Sequence, residues 1–304
     1  MPFRVTQESL SRTTLSNIRL NYKKMQNTQE KLSSGKLINR PSDDPSGTRK
    51  VLGLKTEEFQ VEQFLNNTET AREQITFTSN TLESIQEVLS KIKELSIQAS
   101  NDTQGPTDRQ IIASEMNELL ASVVQYSNAD NNGRYVFSGT KTFTSAFTAV
   151  QDSNGNISSV TYNGNNEEIK FQIGPNSFMQ VNLPGGKLFQ DNKIFDTVIS
   201  LRDALNANTF DSSAFSTLRD DLETAANSIL TEITRFGAKN NRLELTANSL
   251  GNSQTALKEL ISYTEDADVA SLIMDLKNQE NVLQSSLQTG ARIIQPSLLD
   301  FLKL

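Results

Sequence analysis

The sequence predicts a mainly α protein: an elongated antiparallel helical bundle or coiled-coil rod with a small antiparallel β domain inserted. Three observations carry this expectation. Apolar residues at steps of three and four stripe both ends of the chain, and the same spacing runs through two longer inner segments. Between those inner segments, residues 134–190 change to alternating patterns punctuated by Gly and Pro.

The first stripe is Leu15, Ile18, Tyr22, Met25, Gln29 and Leu32. Helix continuity stops at Pro41 and Pro45, where Asp44 is placed to cap a new helix with Pro45 in its first position. The segment Val61 to Ala99 then carries the clearest pattern. Val61, Phe64, Thr68, Ala71, Ile75, Thr78, Leu82, Ile85, Leu89, Ile92, Ser96 and Ala99 form a coiled-coil-like seam. Its seven large apolar side chains, at roughly 1.5 to 3 kcal/mol each when fully buried, outweigh intrinsic helix propensity, so partner helices are required.

A third helix is announced by Gly105-Pro106 and a Thr107-x-x-Gln110 capping box. Ile112, Met116, Leu119, Val123 and Tyr126 form its apolar face, and Asn131-Asn132-Gly133 has the composition of its end. Tyr135–Phe137, Val160–Tyr162, Ile169–Ile173 and Met179–Leu183 read as strands, with Asn163-Gly164-Asn165-Asn166 as a connecting turn. Helical spacing resumes at Val198, Leu201 and Leu205, and continues from Phe215 through Ile261 with a stutter at Ala225, Ile229 and Ile233. Thr264–Asp268 supplies capping residues before a last stripe of Val269, Leu272, Leu276, Leu283, Leu287, Ile294, Leu298 and Phe301.

Composition narrows the function classes. The 304 residues carry a net charge of −7, without the Lys and Arg clusters that a nucleic acid or an anionic membrane requires. There is no Cys, His or Trp. Disulfides, thiolate chemistry, His-based nucleophile systems and His-ligated zinc are thereby excluded, and no cofactor or metal is expected. The opening MPFRVTQESLSRTT lacks the apolar segment of a signal peptide, and no apolar run approaches the roughly 20 residues of a membrane span. Neither Sec-type export nor membrane insertion is expected.

Candidate motifs resolve to bland readings. Asp152-Ser153-Asn154-Gly155-Asn156 has the wrong register for a calcium loop and reads as a polar turn. Asp43-Asp44, adjacent between prolines, reads as capping groups, not as an acid/base pair. Three Asn-x-Ser/Thr sequons are chance matches in an Asn-rich chain. A carboxylate-based cell-wall hydrolase could draw on Glu167, Glu168 and Asp191, but sugar-stacking Trp is missing.

The inner stripes read as an intramolecular bundle, whereas the terminal ones gain burial only against each other or against neighbouring subunits. The candidate assembly interface is therefore Leu15, Ile18, Tyr22, Met25 and Leu32 with Val269, Leu272, Leu276, Leu283, Leu287, Ile294, Leu298 and Phe301. Three regions are expected: terminal assembly helices in 1–42 and 266–304, a helical rod in 43–133 and 191–265, and a β domain in 134–190.

The run Leu32-Ser33-Ser34-Gly35-Lys36-Leu37-Ile38-Asn39-Arg40-Pro41-Ser42-Asp43-Asp44-Pro45-Ser46-Gly47 resembles the N-terminal signature of the flagellin superfamily. Asn131–Gly139, Val160–Gly164, Asn241–Glu244 and Ser297–Leu302 extend the resemblance over nearly the whole chain. The resemblance implies a flagellin-like fold and a secreted structural subunit of the bacterial flagellum, exported unfolded without a cleaved signal and not an enzyme. Given the Pro-flanked Asp43-Asp44 and the small insert, the resemblance implies a place at the hook-filament junction, as an adaptor joining the hook, through another hook-associated protein, to flagellin. It implies as partners copies of the chain in a ring-like layer, those two neighbours and an export chaperone on the last helix. It also implies terminal segments that are disordered in the free subunit. A short flagellin forming the filament itself is the alternative.

Overall fold

The computed structural model describes residues 7–101, 105–207 and 209–301, with side chains described for 9–101, 105–207 and 209–292. The elements in order are α1 (Gln7–Ser34), α2 (Pro45–Ala99), α3 (Pro106–Ser127), β1 (Asp130–Asn131), β2 (Arg134–Tyr135), β3 (Phe147–Gln151), β4 (Ile157–Tyr162), β5 (Lys170–Gly174) and β6 (Ser177–Gln180). A π-turn at Gly186–Gln190, then α4 (Ile194–Asn206), α5 (Ser212–Glu265) and α6 (Val269–Phe301) complete the chain. Residues divide into two compact units, a terminal unit of 1–60 and 253–304 and an inner unit of 61–252. The divisions fall inside α2 and α5, so residues 43–60 and 253–265 group with the terminal helices.

In the inner unit the α2 seam is realised: every member from Thr68 to Ala99 is buried. A single apolar cluster runs from Ala71 on α2 through α3, the strands and α4 to Leu243 on α5. Tyr126, expected on the buried face of α3, is exposed, and Leu120, Val124 and Ser127 take the inward positions. The α3 cap also differs from expectation. Asp108 Oδ2 accepts from Gly105 N at 3.1 Å, two residues ahead of the Thr-x-x-Gln box, because Pro106 already occupies the first helical position.

Asn132-Gly133 does not end α3, which stops at Ser127. It makes the two-residue turn between β1 and β2, with φ of 55° and 75°, the positive pair a type I′ turn requires. Strand β2 ends at Tyr135, and Val136 and Phe137 leave it to enter the core. Asn163–Asn166 joins no hydrogen-bonded pair. The ladders are β3 with β4 and β5 with β6, both antiparallel. Strand β3 lies outside the expected strands. The polar turn at Asp152 closes its hairpin: Asp152 Oδ1 accepts from Asn154 N and Asn156 N, each at 2.8 Å. Those backbone donors, Asn156 first, hold the Asp152 carboxyl below the usual carboxylate range.

Two features fasten β elements to helices. Phe137, Phe147, Phe189 and Phe195 form an aromatic cluster with ring centroids 5.1 to 5.4 Å apart. Buried Arg202 on α4 donates through Nη1 to Asn117 Oδ1 on α3 at 2.8 Å and to Ile157 O on β4 at 2.6 Å. Its other nitrogens reach Asp203 Oδ1, so the buried guanidinium is paired as burial demands.

Candidate assembly interface

The signature segment folds into a tight connection between α1 and α2. Asp43 Oδ2 accepts from Asn39 N and Arg40 N, and Asp44 Oδ1 accepts from Ser46 N at 3.0 Å at the start of α2. Both carboxylates therefore serve backbone groups. Gly47 sits close to its neighbours: a Cβ there would stand 2.6 Å from Ile38 Cδ1 and closer still to the Asp44 carboxylate, so both side chains would have to shift. Arg40 pairs with Glu30 at 3.0 Å across the turn.

This connection is clamped to the break between α5 and α6. Leu37 N donates to Glu265 O at 2.7 Å, Ala267 N donates to Gly35 O at 3.0 Å, and Lys36 and Asp266 form an isolated antiparallel bridge. Buried Glu265 receives Lys36 Nζ at 2.7 Å and Lys55 Nζ at 2.6 Å. Burial pushes the Glu265 carboxyl up, but hydrogen bonds and charge from the two ammonium groups outweigh it and leave it below the usual range. The hydrogen bond to Glu265, and its charge, hold Lys36 above the usual lysine value.

A depressed carboxyl stabilises the fold above its unfolded pKa, and that stability is lost as pH falls through the folded value. The raised Lys36 contributes below its own unfolded pKa and loses this as pH rises through the folded value. The clamp is thus complete between the two ranges. Glu265→Gln is expected to destabilise the terminal unit by about 1 to 2 kcal/mol near neutrality, the lysines being partly solvated. Paired thermal melts across pH check this: the gap between wild type and variant should close on acidification.

From the clamp, α1 and α6 run antiparallel along a shared seam. Less exposed positions recur on α1 at Thr14, Ile18, Asn21, Met25, Thr28 and Leu32, and on α6 at Leu272, Leu276, Gln279, Leu283, Ser286 and Gly290. Asn21 Nδ2 donates to Ser286 Oγ at 3.1 Å, and a Cβ on Gly290 would meet Ile18 at 3.1 Å. Six of the expected interface residues, Ile18, Met25, Leu32, Leu272, Leu276 and Leu283, are thus brought onto this seam. Leu15, Tyr22, Val269 and Leu287 lie off it and are about half exposed. Ile294, Leu298 and Phe301 fall outside the residues whose side chains are described.

Half of the seam positions are polar or Gly, so the pair buries little apolar surface. The contrast between units is sharp. Among the described residues the terminal unit supplies only Val51, Leu257 and Leu272 of the 40 buried apolar residues, yet 14 of the 22 large apolar side chains that are exposed. Sequence spacing did not single out Leu10, Leu20, Leu52, Phe59, Ile273, Met274 or Val282, which share this exposure. Their signal is apolar character off the seam, on helices too thinly packed to hide it.

Long helices at both chain ends, paired with each other and bearing uncovered apolar residues, define a subunit built for self-assembly. Family comparison agrees. The chain matches the bacterial flagellin N-terminal helical region over residues 5–142 and the C-terminal helical region over residues 220–302, together nearly three quarters of its length. It belongs to the flagellin superfamily.

It is 26% identical to flagellar hook-associated protein 3 of Escherichia coli K12, over 84% of this chain and 86% of that one. It is 28% identical to a flagellar filament 30.7 kDa core protein of Treponema maltophilum, over 88% and 87%, and 26% identical to flagellin of Bacillus subtilis 168, over 93% of each. The fold is similar to that of the crystallised flagellar junction protein of Legionella pneumophila, with a TM-score of 0.59 over 73% of this chain and 100% of that one at 17% identity.

Proposed function

We propose that this chain is a non-catalytic structural subunit at the hook-filament junction of the bacterial flagellum, joining the hook, through another hook-associated protein, to flagellin. The observation that carries the reading is the inverted apolar inventory of the terminal unit. Residues left bare in the single chain gain cover when α1 and α6 of many copies pack together with unlike neighbours above and below. In the free chain those helices are mobile, and a chaperone shields α6 during export of the unfolded chain to the extracellular flagellum.

Among the described residues no helix is long and apolar enough to cross a membrane. Two of the three acids considered for hydrolysis are engaged elsewhere. Glu167 accepts from Thr140 Oγ1 at 2.7 Å, and Glu168 is held below the usual carboxylate range by its hydrogen bond from Lys170, the opposite of what a proton donor needs.

The similarity to flagellins keeps filament subunit as a second reading. Electron microscopy of a strain lacking the chain separates the two. An adaptor's loss leaves bare hooks and flagellin monomers in the medium, whereas a flagellin's loss leaves capped hooks and no released flagellin.

A further inference from the structure

The inner unit is electrostatically lopsided. Its sequence holds 14 basic and 23 acidic residues, a net of −9, against +2 for the terminal unit. Much of the excess lies on one side of α2, where Glu62, Glu69, Glu73, Glu83 and Glu87 recur at steps of seven, four, ten and four. Buried Ala71, Ile75, Leu82, Ile85 and Leu89 occupy the opposite side, and all five glutamates are exposed. Among the described residues none of the five forms an ion pair, although like charges so arranged repel one another.

The same unit also gathers cations in one place. On α5, Arg235, Lys239 and Arg242 fall at steps of four and three. Lys239 Nζ donates to Gln180 O on β6 at 3.0 Å, and Gln180 pairs across the ladder with Lys170. Lys187 and Arg235 line one cavity of about 350 Å³ together with Glu168 and Glu232. Lys170 and Lys187 pair with Glu168 and Arg235 pairs with Glu232, and Lys239 and Arg242 follow Arg235 on α5, so five basic residues outnumber two acids in a body that is otherwise strongly negative.

We propose that copies of this chain dock side by side, the α2 glutamate ridge of one seated on the Lys170–Arg242 basic patch of the next. The two surfaces differ, so the contact is head-to-tail and repeats from copy to copy, as a closed layer requires. Charge steers the approach and fixes which faces meet. The inference rests on the reading of this chain as a self-assembling subunit, and it names the lateral contact that reading leaves open.

The test is self-association of the full chain by sedimentation velocity. Raising salt from ~0.02 M to ~0.3 M should weaken association at least ~10-fold, where contacts made by the apolar terminal helices would hold or strengthen. A ridge variant (E69K/E73K/E87K) and a patch variant (R235E/R242E) should each lose association by ~10-fold or more. Mixing the two should restore it, because each now complements the other on both faces, a result that misfolded chains cannot give.

A wild type that stays monomeric at its highest soluble concentration, salt-insensitive association, or a mixture no better than its components overturns the proposal. Failure of the junction reading shows separately, as filaments still attached in a strain lacking the chain.

Discussion

Removal of residues 1–40, or of 266–304, is expected to abolish filament attachment while the inner unit still melts cooperatively. The inner unit contains 37 of the 40 buried apolar residues and the whole of the contiguous core, so neither truncation touches its packing. Each removes one partner of the α1/α6 seam; loss of 1–40 also takes Lys36 from Glu265, and loss of 266–304 takes the Asp266 bridge to Lys36. The remaining helix then has its apolar stripe bare along its full length and no antiparallel partner, which leaves an isolated helix marginal in water. Attachment is read by microscopy of complemented cells, melting by circular dichroism. Loss of the cooperative transition in either truncation would show that the division between units is misplaced.

Phe189→Ala is expected to cost the inner unit about 3 to 5 kcal/mol. Phe189 is fully buried on the π-turn and touches three other rings: edge-on to Phe137 and Phe147, and stacked on Phe195 with planes 18° apart. Truncation opens a cavity where the β elements meet α4 and removes those aromatic pairings as well. The melting temperature of the inner unit should fall by on the order of 10 °C, and Phe189→Leu, which refills most of the volume, by clearly less. Equal effects of the two substitutions would mean the cluster is loosely packed.

The helical part of this fold was legible because its cause is periodic. The α2 seam, the Asp44 cap and the break at Thr264–Asp268 each follow from spacing or capping chemistry confined to a few neighbouring residues. The β insert was legible only as a change of period. Pairing there is decided by turn chemistry and tertiary contacts. The Asx turn at Asp152 selects β3 as partner of β4, a π-turn places Phe189, and Asn132-Gly133 turns a hairpin where its composition equally suits a helix end.

At the candidate interface, steps of three and four found the seam residues Ile18, Met25, Leu32, Leu272, Leu276 and Leu283. They could not tell that Leu15 and Tyr22 lie to its side, since a seam's direction is set by the partner helix. The Lys36–Glu265–Lys55 clamp joins residues more than 200 positions apart and leaves no local signature.

The central claim is that α1 and α6 are thinly held in the free chain and become covered in the polymer. Amide hydrogen exchange on the full chain, at high dilution and again after assembly, tests it most directly. In the dilute chain, residues 71–99 of α2 should exchange slowly and those of α1 and α6 rapidly, and assembly should slow the terminal helices by orders of magnitude. Terminal helices as well protected as α2 at high dilution, and unchanged on assembly, would contradict the account.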